Sequence, residues 1–148
     1  MSDEAHRLES VTGELDRYLS GAIARFVYQF RVDRLPAAVI TIARQHLLDT
    51  VGCCLAATDL DTSSALGAWL VSEGGAEQAT AIGVDCRLPA AQAAFMNGLL
   101  ARSLEYDDMA MPDLHPSGVI APVVLAVGEW QRASGAELLA GRRSASSC

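Results

Sequence analysis

Lysine is absent from this chain: all 11 basic residues are arginine. Codon preference is sufficient to explain this, but the consequence is chemical. No Schiff-base or general-base lysine can come from this chain. Aromatic residues are scarce at 5%, so Ala, Leu and Val must fill the interior, and small residues of that kind favour close helix packing. Basic charge is outweighed, leaving a formal net charge of -7. That balance argues against nucleic acid, whose phosphates need a basic face, and against an anionic membrane surface. It leaves room for an anionic substrate, because a pocket can be locally positive through arginines and helix N-termini. Paired cysteine motifs are also missing. Cys53, Cys54, Cys86 and Cys148 form no CxxC. Cys53 and Cys54 lie in an apolar helical run, where Cys behaves as a small buried hydrophobe. Neither a disulfide framework nor a zinc site follows. No apolar run approaches bilayer-spanning length, and the best one is broken by Pro122. The first residues, MSDEAHRLES, are acidic and polar, unlike a signal peptide. These features lead us to expect a cytoplasmic protein that binds neither nucleic acid nor membrane.

What is present is helical pattern. At 148 residues, one domain with a real core is possible. The chain is 51% hydrophobic, with mean hydropathy +0.22, which implies either a deeply buried helical core or a surface meant for a partner. Residues 1–13 are charged and unpatterned, and read as a mobile tail. Helix one is expected over Glu14 to Phe30, with Leu15, Tyr18, Leu19, Ile23, Phe26, Val27 and Phe30 at three-and-four spacing. Helix two is expected over Pro36 to Ala57, with Val39, Ile40, Ala43, Leu47, Val51, Cys54 and Leu55 as its stripe. His46 sits beside that stripe and reads as a surface or satisfied histidine. The Gly52-Cys53-Cys54 patch lets another backbone approach closely. Helix three is expected over Ser64 to Ser72, capped by Ser63 or Ser64 and carrying Leu66, Trp69 and Leu70. Gly74-Gly75 ends it. Ala79 to Val84 is strand-like, and Asp85 to Leu88 reads as a turn and short return, together a small hairpin. Pro89 opens helix four, Ala90 to Leu104, with a face of Ala94, Phe95, Gly98, Leu99 and Leu104. Gly98 inside it costs about 1 kcal/mol relative to Ala, which a tight helix crossing would explain. Helix five, Gly118 to Arg132, is capped by Ser117, and its apolar run requires burial on most sides. Ser134 to Glu137 has capping-box spacing for a last helix that stops after Leu139. The fold expected is mainly α: about six helices in a bundle with one small β-hairpin.

Carboxylates and a histidine converge at one place, between helices four and five. Glu105, Asp107 and Asp108 leave the C-terminal end of helix four, where the helix dipole disfavours them. Asp113 and His115 follow, and His115 lies at the mouth of helix five. Free backbone N–H groups there can hold a substrate carboxylate. A neighbouring acid can orient the imidazole and make it a proton donor or acceptor near neutral pH. That would suit proton transfer beside the carboxylate of a small organic acid. Spacing alone favours the plainer reading, a solvated acidic turn before an ordinary capped helix. A divalent-ion site using Asp107, Asp108 and His115 is a third possibility, although no motif fixes a ligand set.

In this stretch, AAFMNGLLARSLEYDDM followed by HPSGVIAPVVLAVGE resembles the MmgE/PrpD family, with its N-G-x-x-x-H/R-x-x-D-x-D-D run and HPS helix start. ARQHLLDTVGCCLAA, AIGV…LPAAQAAFMNG and ASGAELLA resemble the family in the same order, so the likeness covers Leu15 to Ala140. It implies an all-helical N-terminal domain, here residues 14–140, usually in homodimers. It also implies 2-methylcitrate dehydratase or cis-aconitate decarboxylase chemistry on small tricarboxylates, with no metal or organic cofactor. His115 falls on the family's active-site histidine, and Glu105 falls on the first acid of the run, as a longer carboxylate. Asp107, Asp108 and Ser117 are the substrate-binding candidates. Met109 stands where the family commonly has Thr. Family members are several times longer, and their active-site lysines have no counterpart here. Residues 141–148, GRRSASSC, read as an aberrant or disordered tail, as a frameshift or early stop would give. An incomplete lyase of weak or no activity is therefore expected, the alternative being a non-catalytic helical dimerisation module.

Overall fold

Helix is the default for a chain so rich in Ala and Leu, and the computed structural model is mainly α. It describes residues 18–110 and 114–140, without the side chains of Val32 and Ala140. The two expected tails, the start of helix one and Asp113 lie outside the described residues. The chain divides into two units, Met1–Arg34 and Leu35–Cys148.

The first unit contains α1, Leu19–Gln29, and a 3-10 turn at Val32–Arg34. The expected stripe is there in spacing, but Tyr18, Leu19, Ile23, Phe26 and Val27 are all exposed. Phe26 and Phe30 meet one turn apart, with ring centroids 5.7 Å apart at 55°.

The second unit contains α2 (Ala37–Ala56), α3 (Asp61–Glu73), β1 (Ala79–Thr80), β2 (Arg87–Leu88), α4 (Ala90–Ser103), α5 (Pro116–Trp130) and α6 (Gly135–Ala140). At its centre is α4, which packs against α2, α3, α5 and the hairpin. Its buried face is Ala93, Met96, Asn97, Leu100 and Ala101, at the expected period but rotated from the expected face, leaving Phe95 exposed. Leu70, Met96 and Leu100 are the largest apolar side chains fully buried here, each stabilising by roughly 1.5–3 kcal/mol.

Several boundaries and faces differ from expectation. In α2 the buried residues are Thr50, Cys53 and Cys54, while Val39 and Leu55 are exposed. A Cβ on Gly52 would meet nothing within 4 Å, so no backbone approaches there. Helix α3 begins at Asp61, earlier than the serines suggest. Ser63 is buried within it, its hydroxyl donating to the Ala57 carbonyl at 2.8 Å. Helix α5 begins at Pro116, whose fixed φ suits a first helical position, so Ser117 lies inside the first turn. Nor is α5 buried on most sides. Gly118, Ala121, Pro122, Ala126 and Gly128 face inward, and Val119, Ile120, Val123, Val127 and Trp130 are exposed. Small residues let α4 and α5 approach closely, and the large ones have no room on that side. Pro122 brings no N–H to the helix, so the Gly118 carbonyl lacks its usual partner.

The hairpin is shorter than its apolar run, pairing only Ala79 with Leu88 and Thr80 with Arg87. Side chains of α4 and α5 capture the rest of its backbone. Asn97 accepts from the Ile82 N–H at 2.8 Å and donates to the Thr80 carbonyl at 3.0 Å. Glu129 accepts from the Thr80 N–H at 2.7 Å, the Thr80 hydroxyl at 2.9 Å and Arg87 at 2.6 Å. Asn97 is thus explained by the hairpin it pins. At α6, the expected capping box is formed: the Ser134 N–H donates to Glu137 at 2.9 Å and the Glu137 N–H to the Ser134 hydroxyl at 3.3 Å.

Candidate active site

After α4 the chain turns at Glu105, which takes a left-handed φ of +52°. Ala110 and Leu114 then form an antiparallel bridge, with N–H···O distances of 2.7 and 2.8 Å. That bridge closes the excursion and returns the chain to His115 beside the acids it has just left. Asp107 points inward, its side chain 0% exposed, and its Oδ1 accepts from Arg102 at 2.7 Å. Its Oδ2 lies 3.5 Å from His115 Nδ1, on a ring that is 24% exposed. Both of those atoms are buried and otherwise lack a hydrogen-bond partner.

The neighbouring acid faces the other way. Asp108 Oδ1 accepts from the Ser117 N–H at 3.1 Å, satisfying one free donor of the first turn of α5. Its Oδ2 lies 3.4 Å from Nδ1 of His46, whose side chain is 44% exposed. Two consecutive aspartates therefore each meet a histidine, one at the start of α5 and the other from the middle of α2. Asp49 and Cys53 lie at the same end of the site. Burial pushes the Cys53 thiol up, and the charges of Asp49 and Asp107 push it further the same way.

Glu105 stands apart, 79% exposed and 3.8 Å from Arg102, and among the described residues no hydrogen bond or ion pair joins it to His115. Two carboxylates, Asp107 and Glu105, thus share one guanidinium. This wall is better equipped to hold and move a proton than to attract several carboxylates. No group of three His, Cys, Asp or Glu among the described residues is placed to hold a metal ion. A cavity of about 490 Å³ lies elsewhere, lined by Thr58, Ser64, Val71, Ile82 and Asp85, and contains none of these residues.

A sequence model of the MmgE/PrpD N-terminal domain matches residues 21–145. The chain belongs to the MmgE/PrpD family. Two of its MmgE/PrpD relatives are cis-aconitate decarboxylases. The Homo sapiens protein is 30% identical over 112 residues, covering 75% of this chain and 23% of that protein. The Mus musculus protein is 28% identical over 109 residues, covering 73% of this chain and 22% of that protein. The chain therefore spans less than a quarter of the length of these relatives.

Of the residues singled out in the sequence, the structure brings together His115, Asp107, Asp108 and the Ser117 backbone. Glu105 is at the edge, and Asp113 is outside the described residues. The Ser117 N–H, expected to be free for a ligand, is already taken by Asp108. Sequence reasoning missed two members. Arg102 appeared only inside the MmgE/PrpD run NGLLAR, and its spacing, one helical turn or so before the acids, was the available signal. His46 carried no local signal, because it meets Asp108 only through the packing of α2 beside α5.

Proposed function

We propose that this segment forms one wall of a lyase active site, where His115 transfers a proton at a carbon beside a carboxylate of a small tricarboxylic acid. The observation that carries the reading is the buried Asp107 carboxylate facing His115 Nδ1 at the start of α5. An imidazole held by a buried acid is a good proton donor and acceptor. Membership of MmgE/PrpD and the cis-aconitate decarboxylase relatives support this substrate class. In this reading Glu105 is the catalytic carboxylate that works with His115, and Asp108 and Ser117 are on the substrate side. Cofactor-free chemistry, a homodimeric full-length form and a cytoplasmic location remain parts of the proposal. We take the chain by itself to be weakly active or inactive, because Arg102 is the one cation that the described wall offers a polyanionic substrate.

The test is titration of 15N-labelled protein with cis-aconitate, citrate and 2-methylcitrate. Amide shifts confined to His115, Ser117 and Gly118, and abolished by His115→Ala, are expected with at least one acid. If none of the three moves these signals, the substrate class is wrong.

A second reading, a non-catalytic helical dimerisation module, is favoured by the exposed row Val119, Val123, Val127 and Trp130 on α5. Apolar area of that kind marks partner surfaces. A stable monomer at micromolar concentration by light scattering would rule it out.

A further inference from the structure

We infer that Asp107 serves His115 rather than substrate: clamped by Arg102, it holds the imidazole in the Nδ1–H tautomer and leaves Nε2 as the nitrogen that exchanges protons. The inference rests on the proton-transfer reading of His115 and gives Asp107 the role of a positioning residue.

Three observations lead there. First, the Asp107 side chain is fully buried, so solvent, and any acid arriving from solvent, does not reach it. Arg102 occupies its Oδ1 at 2.7 Å. Its Oδ2 is buried without a hydrogen-bond partner, 3.5 Å from an equally unpartnered His115 Nδ1. A carboxylate oxygen only accepts, and a neutral imidazole nitrogen either donates or accepts. Two acceptors facing each other in a dry site would repel and leave both unsatisfied, which is costly. A proton on Nδ1 turns the pair into donor and acceptor, and a few tenths of an ångström closes the bond.

Second, Nδ1 is buried while the ring keeps 24% of its surface exposed, so the accessible edge is the one away from Asp107. Third, the chain is shaped to admit the carboxylate. A Cβ on Gly118 would stand 2.5 Å from Asp107 Oδ2 and 3.0 Å from Arg102 Cδ. The first turn of α5, where the helix dipole favours negative charge, lies against the acid with no side chain between.

The proton accounting is simple. The Nε2 lone pair forms an N–H bond as a substrate C–H bond breaks, and the C–H electron pair stays with the substrate. The resulting imidazolium keeps its Nδ1–H on Asp107, and Nε2 returns the proton to carbon in the reverse sense. The paired His46 and Asp108, 3.4 Å apart on a more exposed ring, provide an internal reference.

The experiment is two-bond 15N–1H correlation NMR of the imidazoles in the whole protein, which has His6, His46 and His115, assigned with His→Gln variants. His115 is expected to be mainly Nδ1–H when neutral. Asp107→Asn, which turns an amide donor towards Nδ1, is expected to reverse that population, whereas Asp108→Asn should perturb His46 and leave the His115 tautomer unchanged. A neutral His115 that is mainly Nε2–H in the unaltered protein overturns the inference, as does an unchanged tautomer in folded Asp107→Asn. If that variant does not fold, the unaltered protein alone decides. Failure of all three acids to bind would remove the substrate reading without touching this measurement. Binding together with an Nε2–H tautomer would do the reverse.

Discussion

Gly118 is the smallest residue at the site and the least replaceable. A methyl group there would collide with Asp107 Oδ2 at 2.5 Å and press on Arg102. Ala improves helix propensity by about 1 kcal/mol, but overpacking costs about 1–3 kcal/mol, and here the obstacle is a clamped, buried carboxylate. Gly118→Ala is therefore expected to lower the urea midpoint and to shift the His115 ring signals, although it replaces no polar group. Asn97 is the second residue of this kind. Replacing it with Ala strands the Ile82 N–H and the Thr80 carbonyl, at about 1–3 kcal/mol for each group that finds no other partner. Denaturant unfolding should show the loss, and hydrogen exchange at Ile82 should accelerate. At this scale His115 was legible, because HPSG places it before a helix whatever the rest of the chain does. The burial of Asp107 was not legible. An aspartate in an acidic run reads as solvated, and only the inward turn after α4 and the gap at Gly118 give it a dry site.

Among the elements, the hairpin and α5 are joined by one carboxylate. Burial pushes Glu129 up, but hydrogen bonds from the Thr80 backbone and hydroxyl, together with the Arg87 charge, outweigh it and hold the group below its ordinary value of 4.5. A group lowered on folding contributes stability that is complete above its unfolded value and lost as pH falls through the folded one. The unaltered protein should therefore lose stability below about pH 4.5, and Glu129→Gln should be less stable at neutral pH but flatter across that acid range. Thermal melts at a series of pH values would show this as converging curves. Just past the same end of α5, Ser134→Ala should cost about 1 kcal/mol by removing the capping box of α6. That box was visible in four residues of sequence because its chemistry is local. The inward face of α5 was not visible. Apolar residues surround that helix, so periodicity gives no direction, and the decision falls to size: Gly, Ala and Pro allow α4 close, and Val, Ile and Trp go outward. The same rule displaced the expected face of α2, where Thr50, Cys53 and Cys54 are buried and Val39 and Leu55 are exposed.

For the whole molecule, the notable quantity is the large apolar area left outside. Tyr18, Leu19, Phe26 and Val27 on α1, and Val119, Ile120, Val123, Val127 and Trp130 on α5, are exposed, more than isolated surface hydrophobes explain. High overall hydrophobicity foretold either a deep core or a partner surface. The large side chains stay outside because the described core is built largely of Ala and Cys. Self-association that rises with concentration is expected by light scattering, and Val123→Asp should shift it towards monomer. A mass that ignores both concentration and substitution would end the dimerisation reading. The thiols offer a way to watch such seams in motion. Cys86 is exposed, whereas Cys53 and Cys54 are buried in α2, Cys53 within reach of the Asp107 charge and Cys54 bonded to the Asn97 carbonyl at 3.2 Å. A thiol reagent should modify Cys86 at once and reach the adjacent pair only when α2 lifts from α4 and the acid–histidine cluster. The lag between those two reactions is a clock, already present in the chain, for how often the candidate site comes apart.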